Sequence, residues 1–131
     1  MSSSPLLSAA GPLPPPIDMD LLHALRDDLD LEDFLHVLAL YLETLPNRVQ
    51  GICLASANRD AQSMVLFAHP LKSASRQLGA LSLGDLCAQL EQAGRSGVMD
   101  QVAEWLPALE QTARAVQHRL QEVLTELGQP G

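Results

Sequence analysis

The residues best placed to do chemistry lie in one stretch, Phe67-Ala-His-Pro-Leu-Lys-Ser-Ala-Ser-Arg-Gln-Leu-Gly79. Wound as a helix at about 100° per residue, it puts Phe67, Leu71, Ala74, Ser75 and Leu78 on one face and His69 almost opposite. A histidine so placed is presented rather than buried. Lys72, the only lysine in the chain, follows at i+3, and Arg76 at i+7 continues the stripe. Val65 and Leu66 precede His69 on the outward side, Met64 and Ala68 having filled the inward stripe. The result is an imidazole in a cationic neighbourhood with apolar side chains around it, which predicts a docking surface.

Composition limits what such a site can meet. The 131 residues suit one domain, and 47% apolar residues with only 3% aromatic predict aliphatic helix-on-helix packing. The formal net charge of −8 argues against nucleic acid as partner, since phosphate backbones are bound by surplus Lys and Arg. Residues 59 to 95 nevertheless carry Arg59, Lys72, Arg76 and Arg95 against only Asp60, Asp85 and Glu91. A locally non-acidic site on an acidic body attracts an acidic partner pocket. Cys53 and Cys87 form no CxxC pair and have no histidine at ligand spacing, so no metal site is expected and both read as reduced core residues. The chain starts Met-Ser-Ser-Ser without a basic n-region or a long apolar run, which predicts no membrane association and a cytoplasmic protein.

The elements that must position the histidine are all helical. Residues 1 to 16 hold five of the nine prolines with four serines and read as a disordered tail. Asp18 is a candidate N-cap for a short first helix with the stripe Leu21, Leu22, Leu25 and Leu29. A long second helix runs from Leu31 to Ala55, with a kink expected at Pro46. Asn58-Arg59-Asp60 breaks it, and a third helix spans about Ala61 to Leu78, closed by Gly79. Ser82 is the candidate N-cap of a fourth helix, with Leu83, Leu86, Cys87 and Leu90 inward and Gly94 and Gly97 as its end. The last helix repeats Val102, Leu106, Leu109, Ala113, Val116, Leu120, Val123 and Leu127. The expected fold is all-α: an antiparallel four-helix bundle over residues 17 to 127 with a short N-terminal capping helix, and a flexible end from 128 to 131.

The segment Ala68-His69-Pro70-Leu71-Lys72-Ser73-Ala74-Ser75, then Leu78-Gly79-Ala80, Leu86-Cys87, Leu90-Glu91 and Gly94-Arg95, resembles the histidine-containing phosphotransfer (HPt) domains of multistep phosphorelays. The resemblance covers roughly residues 17 to 125. It implies that His69 accepts a phosphoryl group on Nε2 from a receiver-domain aspartate and passes it to another response-regulator receiver. A neutral imidazole offers a nucleophilic lone pair, and a phosphorylated nitrogen remains a good leaving group. It also implies that Lys72 stands beside the phosphoryl oxygens, that Glu91 accepts a hydrogen bond from Nδ1–H, and that the reactive aspartate and Mg²⁺ belong to the receiver, this chain having no cofactor of its own.

Gly84, Ala88, Glu91 and Arg95 form one stripe on the fourth helix, where small residues would let a partner approach closely. Arg95 fits either an anionic group of the partner or the helix C-terminus, and Glu91 either the histidine or an exposed helix face. The chain departs from the family pattern at Ser73, where Gly is common, and at Pro70, a mid-helix proline. The expected partners are receiver domains and a hybrid sensor kinase, met by a monomer. A receiver-binding adaptor without phosphotransfer and a purely structural bundle are the competing readings.

Overall fold

The computed structural model describes residues 14–128. They form five helices: α1 (Met19–Asp28), α2 (Leu31–Ala57), α3 (Ala61–Leu78), α4 (Leu81–Ser96) and α5 (Val102–Gly128). The chain begins three of them with an aspartate. Asp18 accepts from the backbone N–H groups of Asp20 and Leu21, Asp30 from Asp33, and Asp60 from Ser63, which satisfies donors that have no partner inside a helix. Consecutive helices are joined by two to five residues. Contacts run α2 to α3, α3 to α4, α4 to α5 and back from α5 to α2, so the four long helices close into an up-down bundle. The expected proline tail lies mostly outside the described residues, as do positions 129–131.

The core is mainly aliphatic, with Phe34 and Tyr41 as its aromatic members. Leu38, Leu45 and Ile52 of α2 meet Met64, Leu71 and Leu78 of α3, Leu83 and Leu90 of α4, and Leu109, Val116 and Leu120 of α5. Ile17 and Leu22 bring α1 against this core at the end where α3 turns into α4. The Asp18 N–H donates to the Gly79 carbonyl at 2.8 Å and ties the capping helix to that turn. Among the described residues no helix is long and apolar enough to cross a membrane. Both cysteines are free, and burial pushes the Cys87 thiol up to about 12.

Several local expectations are corrected. The inward face of α3 is Met64, Ala68, Leu71, Ser75 and Leu78, while Phe67 stays 36% exposed at its edge. Its ring packs against Gly51 of α2, whose missing side chain makes the room. Ser82 does not cap α4: the helix starts at Leu81 from Ala80, with no side-chain cap, because the two-residue turn leaves the Ala80 carbonyl to accept from Gly84 N–H. Gly94 does not end α4 either. It is buried within the helix, where a Cβ would meet Val65 Cγ2 at 2.7 Å and the Ala61 carbonyl oxygen at 2.8 Å, so it sets how closely α3 and α4 approach. Leu86 is half-buried rather than in the core. The expectation of one long α2 that carries Pro46 within it holds.

Gly79 adopts φ +93, and a Cβ there would sit 2.6 Å from the Asp18 carbonyl oxygen. Gly79→Ala is therefore expected to destabilise the fold by at least about 1–2 kcal/mol, the usual penalty for a left-handed non-glycine residue. A urea unfolding midpoint indistinguishable from wild type would contradict this.

Candidate functional site

Two helices build the site, and one hairpin holds them. Gly79 in the left-handed conformation ends α3, the Ala80 N–H donates back to the Ser75 carbonyl at 2.8 Å, and α4 starts at the next residue. With no slack in that turn, and with Gly94 allowing close approach, α4 lies along the flank of α3 that carries His69 and Lys72. Deeper in the bundle, Tyr41 of α2 and Ser75 of α3 share a 2.7 Å hydrogen bond that fixes α3 from behind. Burial raises the Tyr41 hydroxyl to about 12, so it stays a neutral donor or acceptor.

The centre of the site is Glu91, which is buried and not on an exposed face. Its carboxylate gathers three side chains. His69 Nδ1 lies 2.9 Å from Oε2, and Arg95, four residues on in α4, gives that same oxygen Nε at 2.9 Å and Nη2 at 2.5 Å. Lys72 Nζ stands 2.5 Å from Oε1, which is otherwise without a hydrogen-bond partner. Burial by itself would raise the Glu91 carboxyl. The Lys72 ammonium, the Arg95 guanidinium and the His69 Nδ1–H outweigh it and lower the group from 4.5 to about 2. An ionised carboxylate can only accept, so Nδ1 is the donor nitrogen of the ring. Nε2 is left without a partner among the described residues, on a side chain that is 53% exposed. The arrangement presents one imidazole nitrogen outward, with two cations held beside it.

The remaining predicted residues divide. Leu66 is 69% exposed, and Ser73 is exposed on the same side of α3. Val65 is half-buried against Gly94 rather than fully outward, and Ala88 is half-buried. Gly84 does not offer bare backbone to a partner. Arg76 lies over it, its Cγ 2.8 Å from where a Cβ would be, and reaches Asp85 at 3.4 Å. Arg76 thus bridges α3 to α4 a turn or two from the histidine. Ala61, Gln62, Val65, Leu66, Gly94 and Arg95 line an open depression next to the site.

Sequence reasoning missed two features here. Glu91 and Arg95 stand at i,i+4 with opposite charges, the signal for a helical ion pair, whereas the sequence reading offers Arg95 only an anionic group of the partner or the helix C-terminus. Leu54, 56% exposed on α2, adds apolar surface that lies outside the core stripe and that the sequence reading gives no role.

A bundle of helices that presents a histidine from the middle of one helix and fixes its ring from the next is the architecture of a phosphotransfer module. The chain belongs to the Hpt domain family, whose model matches residues 36–129. Its fold is similar to that of histidine-containing phosphotransfer protein B (HptB) from Pseudomonas aeruginosa PAO1, with a TM-score of 0.78 at 23% identity over 87% of this chain and 98% of that one. The HPT domain of the Hpt sensor hybrid histidine kinase from Shewanella matches with a TM-score of 0.73 at 22% identity, over 84% and 94%. No curated protein matches by sequence. Family membership gives the chain a histidine phosphotransfer role in phosphorelays.

The lowered Glu91 carboxyl has a consequence for stability. A carboxyl lowered in the folded state stabilises the fold at pH above its unfolded value near 4.5, and the contribution is lost as pH falls toward about 2. The stability difference between wild type and Glu91→Gln is expected to carry this contribution in full at about pH 6. It should then shift against the wild type as pH drops from 4.5 to about 2. Urea unfolding of both proteins across that range measures it, and a difference flat throughout would contradict the assignment.

Proposed function

We propose that His69 is the phosphoryl-carrying residue, taking the group from the aspartyl phosphate of one response-regulator receiver and passing it to another. The observation that carries this reading is the division of labour between the ring nitrogens: Nδ1 is held by buried Glu91 at 2.9 Å and Nε2 is free on the exposed side. The Nε2 lone pair forms the N–P bond as the bond from phosphorus to the aspartyl oxygen breaks and the receiver carboxylate departs. Onward transfer runs the same step in reverse on the next receiver. Such a transition state asks for in-line positioning and for charge stabilisation on the phosphoryl oxygens. Glu91 supplies the first by fixing ring orientation and tautomer. Lys72, one turn from His69 on α3, supplies the second as a point charge, with Arg95 close by. The receiver brings the aspartate and its Mg²⁺.

For docking, Leu66 with half-buried Val65 and neighbouring Phe67 provides an apolar edge. Ser73, Ala88, Arg76 and Arg95 flank the histidine, while Gly84 serves the site by seating Arg76. The chain acts as a monomeric carrier rather than as a kinase.

Two experiments test this. Incubated with a phosphorylated receiver, the wild type should acquire acid-labile phosphate and His69→Gln none. Labelling of the variant would refute the assignment, and binding without labelling of either would favour an adaptor. Pro70 removes the intrahelical bond to the Leu66 carbonyl, so Pro70→Ala should stabilise the fold by up to about 3 kcal/mol. It should change the transfer rate by less than about tenfold. A rate collapse with an intact helical spectrum would show instead that the proline positions His69.

A further inference from the structure

Taking His69 as the phosphoryl acceptor, we infer that Glu91 keeps the Nδ1 proton on the histidine ring through the whole transfer cycle, so that the phosphoryl group sits on an imidazolium and leaves from it directly. The starting ring is the Nδ1–H tautomer. Attack through Nε2 makes the N–P bond and renders the ring cationic without any proton moving. The fate of the Nδ1 proton then decides how readily the group leaves. If the proton stays, departure releases a neutral imidazole; if it is lost, departure must release an imidazolate, a far poorer leaving group.

The proton has two exits, and the geometry closes both. One is Glu91 itself. That carboxyl is held well below the usual range by Lys72 and Arg95, so it stays an ionised acceptor for Nδ1–H and is a weak base for its proton. The other exit is water. Oε2 already occupies the Nδ1 direction at 2.9 Å, and Glu91 is 4% exposed, so the exchangeable side of the ring is the Nε2 side, where phosphorus is bound.

The charged groups facing the ring fit the same cycle. Lys72 comes from the histidine's own helix, Glu91 and Arg95 come from α4, and the Arg76 and Asp85 pair further along is neutral as a unit. Two cations therefore stand against one carboxylate before phosphorylation. The phosphoryl group adds a charge of about −2, so the sign of the surroundings reverses as the ring becomes cationic. Lys72 and Arg95 then stand between the phosphoryl oxygens and Glu91, which keeps both cations together with the Nδ1–H.

Glutamine at 91 separates this role from simple positioning. Its amide oxygen can accept from Nδ1–H, but rotated it can equally donate to an unprotonated Nδ1, so it orients the ring without retaining the proton. Wild type and Glu91→Gln are loaded from a phosphorylated receiver, and transfer to a fresh receiver is followed from about pH 6 to about pH 9. The wild-type rate should stay level to a pH at least about one unit higher than the variant's, whose rate should fall about tenfold per unit once the ring loses its proton. Ring nitrogen NMR of the phosphorylated wild type should show Nδ1 protonated at about pH 7.5. Coincident rate profiles, or an unprotonated Nδ1 in that spectrum, would overturn the inference while leaving His69 as the carrier. If Glu91→Gln fails to load, the wild-type spectrum decides alone. Absence of phosphate on wild-type His69 would refute the carrier role and this inference with it.

Discussion

A buried carboxylate has to be compensated, and most of this structure can be understood from how Glu91 is. Removing an ionised carboxylate from water costs several kcal/mol even after relaxation, and one partner rarely offsets that. Here the compensation comes from two helices at once, with His69 and Lys72 on α3 and Arg95 on α4. That requirement fixes the separation of α3 and α4, and small residues at the contact meet it. Gly94 accepts Val65 and the Ala61 carbonyl, and Gly84 accepts the Arg76 side chain. Larger residues at either position would push the helices apart or displace the arginine and loosen the carboxylate's hold on the imidazole.

The remaining helices support this pair without entering its chemistry. α2 and α5 supply the apolar mass that α3 and α4 could not bury alone, and α1 closes the end at which the hairpin turns. The Tyr41 to Ser75 hydrogen bond is the one buried polar link between α2 and α3, and it falls two turns along α3 from the histidine, on the opposite face. A rigid aliphatic body and a polar cluster confined to one flank keep the cost of burying charge away from the core.

Much of the fold was legible because its signals are periodic. The stripe of α5, the Asp18 cap and the glycine after Leu78 each name an element or its boundary by a mechanism acting within a few residues. His69 and Lys72 were legible as presented groups for the same reason. What periodicity could not supply was the rotation of α4 against α3. On that rotation depends whether Glu91 faces solvent or the histidine, so the sequence left both open and only packing decided. The roles of Gly84 and Gly94 failed for a related reason: a glycine in a helix reads as an ending or an open surface, whereas here each is a socket for a neighbour's side chain. Phe67 was misassigned because its partner, Gly51, lies sixteen positions away and offers nothing but space.

The two-residue turn between α3 and α4 bears on how such a carrier meets successive partners. Since the turn leaves the hairpin no slack, docking orders few groups of this chain that were not ordered already, and the entropy lost on association is mostly that of rigid-body capture. On the proposed function, a carrier that releases one receiver before reaching the next would be served by a small interface and fast dissociation, and rigidity would let a small interface still aim one nitrogen at one phosphorus. The stiffness imposed by Gly79 and Ala80 thereby becomes a kinetic property: specificity of alignment without long residence.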